Sequence, residues 1–336
     1  VSNATSRPVI SDVARAAGVS IPTVSRVLTG AAKVSEDKRE RVLRAIDELK
    51  YRPSATARAL VAGQPTMVAI IAGNTSRFGY AETIRGVEQA AREAGFLVSI
   101  TVVETSDPET VDGAVGTVLS QPIAGIVVLK FDPCGVQVVH RLPPGVPAVS
   151  ISGIQEVGPP QAVLDERAAA RELVDHLLDL GHETVHHVRV PPSREEDGRT
   201  SGWRDALVAR GRRVPGILDA TWDPESGEPL GRALADSPDV TAVFCGNDEI
   251  AMGVVKGLVD GGKSVPGDVS VAGFDDHPLA RLWNPPLTTV RQDFAGLGTR
   301  AFALLLTQIN GESAPAFSST VPRLVVRDSV DRPRRG

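Results

Sequence analysis

Two cysteines in 336 residues are too few and too widely separated for a disulfide scaffold, and Cys134 and Cys245 lack the paired spacing of a zinc cluster. No metal site is read among the six histidines, the His186-His187 pair included, and neither a metal nor a cofactor is expected. No stretch approaches the ~20 consecutive apolar residues that cross a bilayer, and Val1 to Arg7 is polar, without the apolar core of an export signal. A membrane protein is excluded and a reducing cytoplasm is the expected setting. Two signatures of catalysis are missing too. No Gly-x-Gly-x-x-Gly follows the first apolar run, where Ala72-Gly73-Asn74-Thr75 makes a poor phosphate cradle, and Gly-x-Ser-x-Gly does not occur. The chain is read as no enzyme.

What is present is length enough for two or three domains, with an ordinary soluble composition of 42% hydrophobic and 23% charged residues. The net charge of −5 conceals a split. Residues 1–62 hold eleven Lys or Arg against six Asp or Glu, net +5, while the remaining 25 basic and 35 acidic residues give −10. A small cationic head precedes a large anionic body, as expected of a polyanion-binding module joined to a second activity.

In the head, Ile10, Val13 and Ala17 recur at helical spacing and stop at Gly18, which suits the turn at a helix C-terminus. Ser20 offers an N-cap, Pro22 fits a first turn, and Val24, Val27 and Leu28 give a second helix one buried face before Thr29-Gly30. Two short helices about a Gly-containing turn form a helix-turn-helix, whose second helix enters the DNA major groove. Ser35, followed by Glu36 and Asp37, opens a third helix to Lys50 with Val42, Leu43, Ile46 and Leu49 inward. By periodicity alone, a ligandless three-helix bundle is an equal reading.

The residue identities separate the two. Asp12-Val13-Ala14-x-x-Ala17-Gly18-Val19-Ser20-x-x-Thr23-Val24-Ser25-Arg26-Val27-Leu28, Val34-Ser35, Ile46-x-x-Leu49-x-Tyr51-x-Pro53 and Ala57-Arg58-x-Leu60 resemble the start of the LacI/GalR family of bacterial transcription regulators. The resemblance implies that Ile21, Pro22 and Arg26 face base edges, with the Arg26 guanidinium able to grip a guanine. Ser20, Thr23 and Ser25 carry hydroxyls suited to phosphate or, more blandly, to helix capping. Val9 stands where the family often has a capping hydroxyl, a loss of roughly 1 kcal/mol. Residues 53–63 match the hinge helix, too short to be stable alone and expected to order beside a partner copy on DNA. There Leu60 matches the minor-groove wedge, Ala57 permits close approach and Arg58 lies near phosphate.

From Met67 the chain alternates. Strand-like runs at 67–72, 96–103, 125–129, 185–190, 216–220, 242–245 and 269–273 are separated by helical stretches at 81–94, 108–119, 166–180, 199–209 and 249–259. Two α/β lobes follow. The resemblance continues through Leu180-Gly181-His182, Arg199-x-x-Gly202-Trp203, Gly246-Asn247-Asp248-x-x-Ala251 and Asp268 to Asp276, and Pro285-Pro286-Leu287-Thr288-Thr289-Val290-x-Gln292 is close to the lac branch of the family. It implies an all-α helix-turn-helix DNA-binding head (8–52), a hinge (53–63) and an α/β two-lobe effector domain similar to periplasmic sugar-binding proteins (64–330), the lobes joined by three crossings. The first lobe is expected at 64–164 and 293–322, the second at 165–292 and 323–330.

For a sugar between the lobes, a carboxylate accepts hydroxyl hydrogen bonds, a guanidinium donates along a fixed fork, and an aromatic face covers the C–H patch of a pyranose. Asp275 and Arg199 suit the first two tasks, Asn247 can donate and accept, Trp222 can stack, and Gln292 and Phe78 complete the set. Asp276 is read as structural. One departure stands out: the lac branch has a first-lobe arginine near the position of Thr105 and an acid near Ser152, and this chain has neither.

The expected protein is a homodimeric repressor of double-stranded operator DNA, released by a small sugar, with no membrane partner. No heptad follows Val330, so no further tetramer through a C-terminal coiled coil is expected. Alternatives are a corepressor-driven regulator sensing a purine or a phosphoprotein, a sugar transport component, and a glycosidase using Asp275 and Asp248.

Overall fold

The computed structural model describes residues 8–28, 34–51, 65–195 and 197–334. The contacts divide the chain into two compact units, residues 1–67 with 122–124 and the remainder. In the first lie three helices, α1 (Ile10–Ala17), α2 (Ile21–Leu28) and α3 (Glu36–Glu48). α1 ends where Gly18 takes φ 64°, letting the Val19 N–H reach the Ala14 carbonyl at 3.0 Å. Its start lacks a side-chain cap, as Val9 requires, although the Asp12 carboxylate accepts from the Val9 N–H at 3.0 Å.

Val13, Ala17, Val24, Val27, Val42, Ala45 and Tyr51 form the head's core. Two residues read as inward are not. Leu28 is 37% exposed and Leu43 51% exposed. Each directly follows a buried valine, and one step along a helix rotates a side chain by about 100°, onto the rim. Ala45, three positions beyond Val42, takes the place expected of Leu43. Thr29-Gly30 and the hinge, with Ala57, Arg58 and Leu60, lie outside the described residues.

The second unit holds two sheets. One lobe has β1 (Met67–Ala72), β2 (Leu97–Val102), β3 (Gly125–Leu129), β4 (Ala148–Ser152), β5 (Gln161–Leu164) and, far along the chain, β11 (Phe317–Thr320), in the order β11-β5-β4-β3-β1-β2. The central strands are buried on both faces, as near-continuous apolar runs of a parallel sheet should be. Helices α4 (Phe78–Glu93), α5 (Pro108–Leu119), α6 (Pro133–Arg141) and α11 (Phe294–Ile309) belong to this lobe. The other lobe has β6 (His186–Arg189), β7 (Leu218–Asp219), β8 (Ala242–Cys245) and β9 (Ser270–Ala272), ordered β7-β6-β8-β9 and parallel throughout. An antiparallel pair, β10 (Thr289–Arg291) and β12 (Arg323–Val325), adjoins it through single bridges at Ala272–Thr288 and Asp275–Arg291. Its helices are α7 (Glu166–Asp179), α8 (Gly198–Ala209), α9 (Gly227–Ala235) and α10 (Asp248–Asp260).

The chain passes between the sheets three times, from β5 to α7, from β10 to α11 and from β11 to β12. The strand read at 216–220 contracts to Leu218–Asp219. No helix among the described residues is long and apolar enough to cross a membrane.

Candidate functional site

The head exposes the start of its second helix. Ile21 is 46% exposed, Pro22 and Arg26 are also exposed, and Thr23 and Ser25 are half-buried. The Ser20 carbonyl accepts from the Thr23 and Val24 N–H groups at 2.9 and 3.2 Å, while the Ser20 and Thr23 hydroxyls bond to each other at 2.9 Å. This arrangement leaves an apolar tip flanked by hydroxyls and a guanidinium on one short helix. It is a surface able to meet a base edge and adjacent phosphates.

In the body, a cleft enclosing about 790 Å3, open solvent at its mouth included, lies at the C-terminal ends of the parallel strands of both lobes. Open α/β sheets place ligands there because the strands end and helices begin on that side. Phe78, Arg199, Trp222, Asn247 and Asp275 all line it. Gln292 stands just behind, donating from Nε2 to Asp275 Oδ1 at 2.8 Å and to Glu166 Oε1 at 3.3 Å. Its Oε1 is buried without a partner among the described residues.

Arg199 is the electrostatic centre. It sits at the start of α8, whose N-cap Asp197 accepts from the Thr200 N–H at 2.8 Å. Its guanidinium meets Glu166 at 2.7 Å and Asp275 at 3.3 Å, donates to the Gly246 carbonyl, and lies 4.5 Å from the centroid of the Phe274 ring. Burial alone would depress its pKa, but Asp275 and Glu166 override that and hold it above its ordinary value. Asp275 feels the reverse balance: burial pushes its carboxyl up to about 6 despite Arg199 and Gln292.

Asp275 and Asp276 both take positive φ, 104° and 54°, a left-handed pair that non-glycine residues adopt only where tertiary contacts enforce it. The kink separates their carboxylates. Asp275 meets Arg199, whereas Asp276 pairs with Arg291 at 2.6 Å and Arg327 at 2.5 Å, outside the cleft lining. Burial opposes the charge of Asp276, but those arginines prevail and lower its pKa. Asp248, the other half of the carboxylate pair considered for glycoside cleavage, is buried and does not line the cleft. It accepts from Thr289 Oγ1 and the His277 N–H, each at 2.6 Å, and burial drives its pKa well up.

Asn247 is less versatile than its chemistry allows. Its Oδ1 caps α10 by accepting from the Ile250 N–H at 2.8 Å, which leaves the amide N–H groups for a ligand. Phe78 meets His277 of the other lobe edge-on at 4.9 Å between centroids.

Several cleft residues escape the sequence reading: Glu166, Lys130, Arg77 and Arg194. Lys130 had a legible signal, a lone cation ending the apolar run 125–129, at the end of a parallel strand where ligands bind. Arg77 and Arg194 sit in connections and carry no periodic signal. Of the His186-His187 pair, His187 serves packing: it stacks on Phe244 at 4.7 Å, and burial lowers its pKa to about 4.

With this geometry in view, residues 9–54 match the family described as bacterial regulatory proteins, lacI family, and residues 174–330 match a periplasmic binding protein-like domain. Catabolite control protein A of Priestia megaterium is 30% identical over 328 residues, spanning 96% of this chain and 98% of that protein. The lac repressor dimer bound to operator and the anti-inducer ONPF superimposes with a TM-score of 0.89 at 28% identity, covering 96% of this chain and 99% of that one. A complex of the transcriptional regulator CelR with cellobiose gives a TM-score of 0.70 at 29% identity, over 96% and 100% of the two chains.

Proposed function

The chain belongs to the lacI family of bacterial regulatory proteins, and on that premise we propose that it is a cytoplasmic, homodimeric repressor that leaves its operator when a small sugar closes into the cleft. One observation carries the effector half of this reading: Arg199, Asp275, Asn247, Trp222 and Phe78 converge on one cleft between two lobes. They supply a donor fork, an acceptor, an amide and two aromatic surfaces, the set that holds a polyhydroxylated ring. Gln292 and Glu166 steer Asp275 and Arg199 from behind. The fold and the similar proteins, among them the lactose operon repressor of Escherichia coli, support the same reading.

On DNA, Arg26 reads a guanine, Ile21 and Pro22 touch base edges, and Ser20, Thr23 and Ser25 fix register on phosphates. The 53–63 segment acts as hinge, with Leu60 wedged into the minor groove, Ala57 close to the duplex and Arg58 near phosphate. A dimer presents two heads to a pseudo-palindromic site. Sugar binding favours a lobe arrangement in which the paired hinges separate, so operator affinity falls by the effector's differential affinity for the two arrangements.

Titration of labelled operator at fixed salt, with and without sugars that raise the melting temperature, tests this. A sugar that binds the body and weakens operator binding is expected. A ligand that tightens it would make the protein corepressor-driven, and one that leaves it unchanged would remove the effector role.

A further inference from the structure

One part of the cleft holds more positive charge than its own carboxylates neutralise. Lys130 follows β3 with its side chain 4% exposed, and Arg194 reaches in from the other lobe, in the segment after β6. Both contact a single atom, Glu156 Oε2, at 2.8 and 2.5 Å. Two cations on one carboxylate leave a positive surplus. Arg77 adds to it, for its guanidinium lies over the Trp222 ring and meets no carboxylate among the described residues. The Arg199 cluster has the opposite balance, with one guanidinium between Glu166 and Asp275.

Glu156 is a notable partner for a buried lysine. It comes from the link between β4 and β5, beside the fully exposed Val157, and its side chain is 30% exposed. A desolvated ammonium demands an anion, and here the anion is supplied by a surface segment and not by the lobe's core. Gln161 holds the Glu156 backbone through its carbonyl at 2.5 Å and its N–H at 3.2 Å, so the carboxylate can swing out without moving the chain.

We propose that Lys130 and Arg194 form an anion subsite in which Glu156 is an internal stand-in, and that the effector is an anionic sugar whose carboxylate or phosphate takes its place. The assignment rests on the reading of this cleft as the effector site. The sugar ring's hydroxyls then meet Asp275 and Arg199, while its acid group bridges both lobes through Lys130 and Arg194 and thereby couples binding to closure. The missing arginine at Thr105 is consistent with a first-lobe cation supplied by Lys130 instead.

The test is calorimetric titration of the full-length protein with glucuronate, gluconate, cellobionate and glucose 6-phosphate, each beside neutral glucose or cellobiose. At least one acid should bind tenfold or more tighter than its neutral counterpart, and the carboxylate and phosphate arms identify which anion fits. Arg194→Ala should abolish that preference. Glu156→Gln should strengthen acid binding severalfold, because it removes the competitor from both cations. Lys130 is buried and its replacement could unfold the lobe, so the two surface-near variants carry the test, each with its melting temperature recorded. Equal affinity for acids and neutral sugars, an unchanged ratio in both variants, or no acid binding would overturn the proposal. A neutral sugar that releases operator would overturn it while leaving the repressor reading intact; no sugar altering operator affinity would remove both.

Discussion

Arg77 lies across the face of Trp222, its guanidinium carbon 4.5 Å from the ring centroid, and the two side chains come from opposite lobes. With Phe78 against His277 and Arg194 on Glu156, the cleft is bridged by an arginine–indole contact, an aromatic pair and an ion pair. A cation–π contact at a partly exposed site is worth about 0.5–1 kcal/mol. Arg77→Ala should therefore weaken effector binding by about two- to fivefold through loss of closed-form stability. Trp222→Ala removes the bridge and the stacking surface together, and a larger loss, about tenfold or more, is expected. Calorimetric titration measures both without relying on the fluorescence of the tryptophan removed.

Arg199 holds two carboxylates in a nearly closed site. Arg199→Met leaves Glu166 and Asp275 facing each other, and breaking a buried pair in this way typically costs about 3–5 kcal/mol. Asp275, whose pKa is already about 6, escapes part of that by taking a proton, so a loss near the lower end is expected. Adding Asp275→Asn should recover stability but not effector response. Urea denaturation midpoints separate the two effects from operator titrations: if the double variant regained induction, Arg199 and Asp275 would be structural only.

Acid should expose two titrations of opposite sign. His187 is depressed to about 4 from 6.5, so the unfolded chain alone takes the proton between those values. Its contribution is intact above pH 6.5 and is lost as the pH falls towards 4, by about 3 kcal/mol in full. Asp275 is raised to about 6 from 3.8, so the folded form alone is protonated in that interval. Its penalty, also about 3 kcal/mol, is complete above pH 6 and is relieved as pH falls. Asp275→Asn should thus steepen the loss of stability in acid, and His187→Phe should flatten it. Denaturation midpoints followed across the same range read both slopes.

The sequence is most informative where one local rule decides the outcome. Gly18 ends α1 because a residue at φ 64° is needed there, and the runs at 67–72 and 125–129 become central strands because both faces are buried. It is less informative where two rules compete. Leu28 and Leu43 are apolar at plausible spacing, yet each core position was already filled by the valine before it. The same holds for the cleft. Arg199 and Asp275 stand in dense local patterns, whereas Lys130, Glu156 and Arg194 meet only after β3, the β4–β5 link and the segment after β6 come together. Helix α11 lies outside the alternation read from the sequence because its apolar residues cover more than one side, contacting α4 and the strands at once. Such a run has no clean period to follow.

Helices α9 and α10 approach through glycines, and this gives a stability test with an internal control. A Cβ added at Gly231 would collide with the Val254 carbonyl oxygen, and one at Gly257 with that of Glu228. Gly231→Ala should destabilise by about 1–3 kcal/mol, since backbone cannot retreat from backbone without opening the helix pair. In α5, by contrast, a Cβ at Gly116 meets nothing within 4 Å. Gly116→Ala should stabilise by about 0.4–1 kcal/mol through reduced unfolded-state entropy. Opposite shifts in melting temperature are the expected pair; equal shifts would mean that α9 and α10 are not in this close contact.

Arg26 is the head residue whose loss should change which sequence is bound, not only how tightly. It is exposed in the last turn of α2, on the same helix as the exposed Ile21 and Pro22. A guanidinium bidentate to guanine discriminates by about 1–3 kcal/mol against the wrong base, a preference that Lys cannot reproduce with a single ammonium. Arg26→Lys should therefore keep nonspecific affinity and its salt dependence while flattening discrimination at one base pair of each half-site. Ser20→Ala and Thr23→Ala should instead weaken binding by similar factors on every sequence, because phosphate contacts carry no base information. Competition between cognate, singly substituted and scrambled duplexes at fixed salt separates the two patterns. If Arg26→Lys weakened all three duplexes alike, Arg26 would be a backbone contact, and sequence reading would have to come from the apolar tip of the helix.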